Sequence, residues 1–217
     1  MMQRTRSRLL LVTVLATTLA AIAPVLHAQQ TEPFTVTLNP AQTSIRWTLN
    51  STLHTVHGTF RLKSGEVSID PATGEASGAI VVDASSGESG DSARDRRMHG
   101  VILESGSFPE ITYRPTHVSG QIDLASGGDI TVDGIFRLHG TNHPLQLTVH
   151  LGREGSAAKL TTRFTIPFVA WGMKDPSTFL FRTDKQVMVN VEAEFAAPPE
   201  HGPGKAILHP GEVHTAQ

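Results

Sequence analysis

From residue 34 onward this chain is dominated by short runs in which every second residue is apolar. Leu145, Leu147, Val149 and Leu151 are separated by Gln146, Thr148 and His150. Val187, Val189, Val191, Ala193 and Phe195 alternate with Met188, Asn190, Glu192 and Glu194. Ala158, Leu160, Thr162, Phe164, Ile166 and Phe168 face away from Lys159, Thr161, Arg163 and Thr165. Ile130, Val132, Gly134, Phe136 and Leu138 repeat the pattern, as do Ile45, Trp47 and Leu49 against Arg46, Thr48 and Asn50. Successive side chains of an extended backbone point to opposite faces, so each run predicts a strand with one buried face. Fainter versions occupy residues 34–38, 59–69, 77–84 and 111–123.

Turn chemistry separates the runs. Asp70-Pro71-Ala72-Thr73-Gly74 and Ser126-Gly127-Gly128 read as hairpin connections, and Asn142-His143-Pro144 and Glu154-Gly155-Ser156 as two more. With 19 glycines and 13 prolines, the composition suits many short strands better than a helical bundle. The short spacings predict sequential antiparallel pairing in a meander, sandwich or closed barrel, since parallel crossovers would need helices that the pattern lacks. One segment breaks the rhythm. Between Ser92 and Leu103, Met98, Val101 and Ile102 fall at helical spacing, and Ser92 followed by Asp95 resembles a helix start.

The ends of the chain read differently from its middle. Arg4, Arg6 and Arg8 precede an apolar run from Leu9 to Ala23, and Leu26-His27-Ala28 supplies a small residue before Gln29. This is the layout of an export signal, residues 1–28. The run falls short of the roughly 20 residues a spanning helix needs. The chain contains no cysteine, so a lipid-carrying cysteine at the cleavage point is excluded. The expectation is a periplasmic or secreted protein with no stable membrane anchor. Residues 29–197 would form the folded domain. Residues 198–217, rich in Pro and Gly and without periodicity, would form a disordered tail.

Several chemistries find no support. A net charge of -2 offers no basic surface for nucleic acid, and 6% aromatic residues offer no stacking platform. Eleven histidines invite a metal site, but His54 and His57 lie three apart on an expected strand, pointing to opposite faces. His139 and His143 flank an expected turn without zinc-type partners, and His201, His209 and His214 fall in the tail. Gly87-Glu88-Ser89-Gly90 lacks the second glycine of a nucleophile elbow, and no phosphate-cradling or dinucleotide loop is present. The reading is of a protein that is not an enzyme, with no cofactor and no metal.

Three stretches resemble a known family. Ser92-Ala93-Arg94-Asp95, then Met98, then Phe108-Pro109-Glu110-Ile111-Thr112-Tyr113, is similar to the Arg-Asp helix and following strand of the YceI-like proteins. Val132 to Leu145 resembles their Gly-x-Leu-x-x-x-Gly-x-Thr-x-x-Val hairpin, and His57-Gly58-Thr59-Phe60 their early Val-x-Gly-x-Phe element. In order, these cover about residues 34–195. The chain departs from the family at Phe168–Ser177, where an Arg-x-Asp-Phe-Gly stretch is common, and at Pro40-Ala41-Gln42, where Asp-His often opens the first strand.

The resemblance implies an all-β, lipocalin-like antiparallel barrel of about eight strands with one short helix closing an end. It also implies a bound isoprenoid or other lipid, such as a polyisoprenoid or isoprenoid quinone, for storage or transport. Candidate lining residues are Ile45, Trp47, Leu49, Ile80, Val82, Phe136, Leu147, Phe164, Ile166 and Val189. Arg94 and Lys174 are candidates for contact with a head group at the mouth. Small inward residues, Gly134, Ala158, Thr162 and Ala193, are expected to leave room among the large ones. The rival reading is a periplasmic stress or interaction protein with a filled barrel and no ligand. The pattern leaves the oligomeric state open, a dimer included. For export, N-terminal sequencing of secreted protein should start at Gln29 or within a few residues. An intact Met1 on soluble cytoplasmic protein would refute it.

Overall fold

The fold was obtained as a computed structural model that describes residues 32–122, 126–154, 157–178, 182–196 and 206–208, the last three by backbone alone. The expected signal segment lies outside the described residues. Eight strands follow one another as an up-and-down meander: β1 (Phe34–Leu49), β2 (Val56–Ile69), β3 (Ala76–Glu88), β4 (Glu110–Ile122), β5 (Gly128–Leu138), β6 (Thr141–Glu154), β7 (Ala157–Ile166) and β8 (Val187–Phe195). Each pairs antiparallel with its neighbours in sequence, and β1 also pairs with β8. The ladder from Ile80↔Tyr113 to Asp83↔Glu110 joins β3 to β4 and completes the ring. The result is a closed eight-stranded barrel.

Past its pairing with β3, β4 continues to Ile122, where Ala206–Leu208 (β9) add a short antiparallel ladder opposite Gly120–Ile122. Three residues of the expected tail are thus paired. The rest of 198–217, with His201, His209 and His214, lies outside the described residues.

Local chemistry explains where the strands bend and stop. The two alternating runs near the start of the domain are one 16-residue strand, β1, whose register against β2 shifts between Thr37 and Ile45. At the kink, the Asn39 side-chain oxygen accepts from the Ala41 N–H at 3.0 Å, and the Thr43 hydroxyl donates to the Asn39 carbonyl at 2.8 Å. Asn142-His143-Pro144, expected as a turn, lies inside β6. The β5–β6 turn is instead His139-Gly140, with φ of 51° and 77°. Positive φ at both central residues is the geometry that matches the twist of the flanking strands. Pro144 is tolerated because it precedes the stretch Val149–Glu154 that pairs with β7, so its missing N–H breaks no bond there.

The expected helix forms on the β3–β4 connection as α1 (Ser92–Arg97), followed by one π-helical turn, Met98–Ile102, closed by the Leu103 N–H on the Met98 carbonyl. Its N-cap is Asp91 rather than Ser92. The Asp91 carboxylate accepts from the N–H groups of Ala93 and Arg94 at 3.0 and 2.9 Å. Asp95 turns back to the Ser89 N–H and hydroxyl.

Inside the barrel, Gly134 is where a bare backbone is required. A Cβ there would lie 2.6 Å from the Arg114 carbonyl and 2.7 Å from the Tyr113 ring. The phenol lies across that gap, and its hydroxyl reaches the carbonyls of Val132 and Leu145 at 2.9 and 3.2 Å. Burial, with Asp133 nearby, pushes this phenol well above its ordinary pKa, so it stays a neutral donor. Gly134→Ala should lower unfolding stability in urea by about 1–3 kcal/mol through overpacking. An unchanged midpoint would show that both the ring and the Arg114 backbone can give way.

Candidate functional site: an apolar cavity in the barrel

The inward faces enclose a cavity of about 780 Å³, within the range of about 300–1,000 Å³ seen for ligand sites. Its wall contains all ten of Ile45, Trp47, Leu49, Ile80, Val82, Phe136, Leu147, Phe164, Ile166 and Val189. Alternation also brings in neighbours such as Val132, Val149, Leu160 and Val191. Met98, Ile102 and Leu103 from the helical turn roof one end, helped by Met173. Phe34, Ile69, Ile122 and Phe195 line the opposite end.

The room is not where small residues suggested. Gly134 is covered by Tyr113, and Ala158 and Ala193, both buried, are not part of the cavity wall. Of the four small positions only Thr162 borders the space, with its hydroxyl donated to the Thr148 carbonyl at 2.7 Å. Small inward residues are therefore filled by their neighbours, and the volume is set by ring closure around medium-sized side chains.

The roof is tied to the barrel at two places and braced within itself. His99 links the Gly87 carbonyl, 2.8 Å from Nε2, to the Ser105 hydroxyl, 3.2 Å from Nδ1. His139 Nε2 meets the Glu104 carboxylate at 2.7 Å, joining the roof to the β5–β6 hairpin. Glu104 and His139 are also the two non-glycine residues with positive φ among those described, at 44° and 51°. Beside the roof, Trp171 stacks on His143 at 4.0 Å and leans on Phe136 at 5.8 Å, closing the β5–β6 side.

Polar groups gather at the mouth. Ser51, Leu53 and His54 of the β1–β2 loop, Asp91, Ala93, Arg94 and Arg97 of the helix, and Pro176 and Thr183 border the opening. Arg94 sits at this rim as the sequence suggested, though its Nε already donates to Ser89 Oγ at 2.9 Å. Lys174 does not border the cavity; its ammonium lies 3.9 Å from Glu104. Arg97 has no signal in the sequence, and His54 reads there only as half of a dismissed metal pair with His57, not as a rim residue. His54 belongs to the loop, not to a strand, whereas the exposed His57 on β2 bonds Thr48 Oγ1 at 3.1 Å. Rim residues come from loops and a single helical turn, where no two-residue period marks them. Among the described residues no group of three or more His, Asp or Glu side chains is placed to hold a metal ion.

A family model described as the YceI-like domain matches residues 36–195. The chain belongs to the YceI-like family. Two solved structures share this barrel. One is BcnA of Burkholderia cenocepacia, 17% identical, with a TM-score of 0.59 over 72% of this chain and 98% of that one. The other is described as a polyisoprenoid binding domain from Saccharophagus degradans implicated in plant cell wall breakdown. It is 18% identical, with a TM-score of 0.52 over 75% and 98% of the respective chains. No curated protein matches at the sequence level.

In this YceI-like chain the roof begins at the Asp91 cap of α1. Backbone N–H bonds from Arg94 and Ala93, with nearby arginine charge, hold the Asp91 carboxyl below the usual carboxylate range. The cap's contribution is therefore full above the unfolded-state pKa and fades as pH falls through the lower, folded-state value. Asp91→Ala should fray α1 and speed exchange of its amide hydrogens relative to those of β6. Equal protection in variant and parent would show that the roof does not depend on this cap.

Proposed function

We propose that this protein holds a long apolar molecule, a polyisoprenoid, isoprenoid quinone or another lipid, inside its barrel, for storage or transport outside the cytoplasm. The observation that carries the reading is the cavity itself: about 780 Å³, walled by aliphatic and aromatic side chains and opening at a rim that holds the arginines. Water gains little in such a space, because apolar cavities tend to stay dry. An alkyl or prenyl chain gains about 0.8 kcal/mol for each carbon it buries. Ten buried carbons supply roughly 8 kcal/mol, equivalent to about micromolar binding before ordering costs. A filled barrel would leave no comparable volume. The polyisoprenoid binding described for the Saccharophagus degradans domain supports the same ligand class.

The wall residues would act as a set, with no single polar contact fixing the chain. Selectivity would come from the rim, where Arg94 and Arg97 could meet a phosphate or carbonyl head group, and Lys174 is poorly placed to join them. No converging acid, base or nucleophile is part of this reading; the protein binds rather than catalyses. Ser89, for example, is held between the Asp95 carboxylate and the Arg94 guanidinium.

Native mass spectrometry of protein from its own periplasm should show a bound lipid at near-unit stoichiometry. Val132→Trp, which puts an indole into the cavity from β5, should displace that lipid and keep the barrel's circular dichroism. Full retention of lipid in this variant defeats the proposal.

A further inference from the structure

The described residues include three large hydrophobic side chains that are clearly exposed: Leu53 at 66%, Met188 at 38% and Val101 at 36%. All three lie at the roofed end of the barrel. Leu53 stands in the β1–β2 loop at the mouth itself, Val101 in the π-helical turn, and Met188 at the first residues of β8. Met188 faces outward from the barrel wall, whereas Leu53 borders the opening and Val101 stands on the turn that roofs it, so these two present apolar surface at the mouth itself.

The charges of the same end favour an anionic partner. Its carboxylates keep their charge but are all bonded within the fold: Asp91 caps α1, Asp95 holds Ser89, Glu104 holds His139, Asp175 accepts from Ser177, Asp184 from Asn50, Glu88 from Thr59 and Glu110 from Lys63. The arginines are freer. Arg96 and Arg97 are exposed, and neither has an ion-pair partner among the described residues. At the other end, the β2–β3 turn carries Asp70 and Glu75 and no cation. Asp129, Glu154 and Glu194 stand at the same base against Arg153 and Lys159, so carboxylates outnumber cations there and a negatively charged surface meets the roof at less cost than the base.

We propose that the roofed end docks on an anionic lipid bilayer, with Leu53 and Val101 entering the interface and Arg96 and Arg97 lying among the head groups. The idea rests on the lipid-binding reading above and adds to it the route of loading. A long apolar chain pulled through water would expose every carbon that the cavity later covers. A mouth seated in the interface removes that exposure, and an apolar wedge with flanking cations is how proteins lie on membranes without spanning them.

The test is flotation with vesicles of phosphatidylcholine containing phosphatidylglycerol, against vesicles of phosphatidylcholine alone, at low and physiological salt. The chain should favour the anionic vesicles by about tenfold, and salt should weaken the preference. The double variant Arg96→Glu, Val101→Glu touches no cavity-wall residue. It should lose that preference and still take up the apolar fluorophore N-phenyl-1-naphthylamine in solution. Equal partition of the parent into both vesicles, or undiminished partition of the variant, overturns the docking proposal and points to loading by a partner protein. Failure of the fluorophore to enter the parent protein strikes instead at the cavity reading, and the vesicle result stands on its own.

Discussion

The rest of the molecule depends on one short ladder, the four residue pairs that join β3 to β4. Without it, the alternating strands would make an open sheet with one wet apolar face and two unpaired edges. With it, the apolar faces turn on one another, and no strand edge is left along the closed part of the ring. Eight strands give an interior wide enough to be filled by side chains or to hold one slender ligand. Here medium-sized Val, Leu and Ile dominate the wall, so closure leaves space. The cavity follows from strand number and side-chain size together, without any residue dedicated to making it.

Closure also decides where specificity can reside. Within the wall, backbone polar groups are spent on the ladders, and the interior hydroxyls of Tyr113 and Thr162 bond to backbone carbonyls. A ligand in the barrel meets mainly shape and apolar surface, the Trp47 indole N–H and the Thr112 hydroxyl being the wall's polar groups left without a partner among the described residues. Among the described residues, it is at the roofed end that the chain leaves the ladder for long enough to present arginine, histidine and serine around an opening. Affinity and discrimination are consequently assigned to different parts of the fold, the strands and their connections.

The strands were legible because burial on one face forces a period of two, which survives in any sequence whose other face is wet. All ten residues chosen from it line the cavity. The errors have physical causes as well. Asn142-His143-Pro144 has the composition of a turn, but the turn needs two positive φ values, which His139 and Gly140 supply next door. Small residues suggest empty space, yet Gly134 is small because the Tyr113 ring lies over it. The rim was the least legible part: Arg97, Leu53 and His54 come together only through the barrel's closure, and Lys174, similar in chemistry, is drawn off by Glu104. No periodic signal in the sequence encodes such meetings.

The bond between Glu104 and His139 couples two backbone distortions. A non-glycine residue at positive φ costs free energy, of order 1–3 kcal/mol in the less favourable cases, and persists only while its surroundings insist on it. Here each distorted residue is part of the other's surroundings. At His139 the positive φ is what the two-residue turn calls for, whereas at Glu104 it is held by the neighbours, His139 among them. The contact thus makes the end of the roof and the tip of the hairpin neighbours in strain as well as in space, so a change of side chain at either position is felt by the backbone of the other.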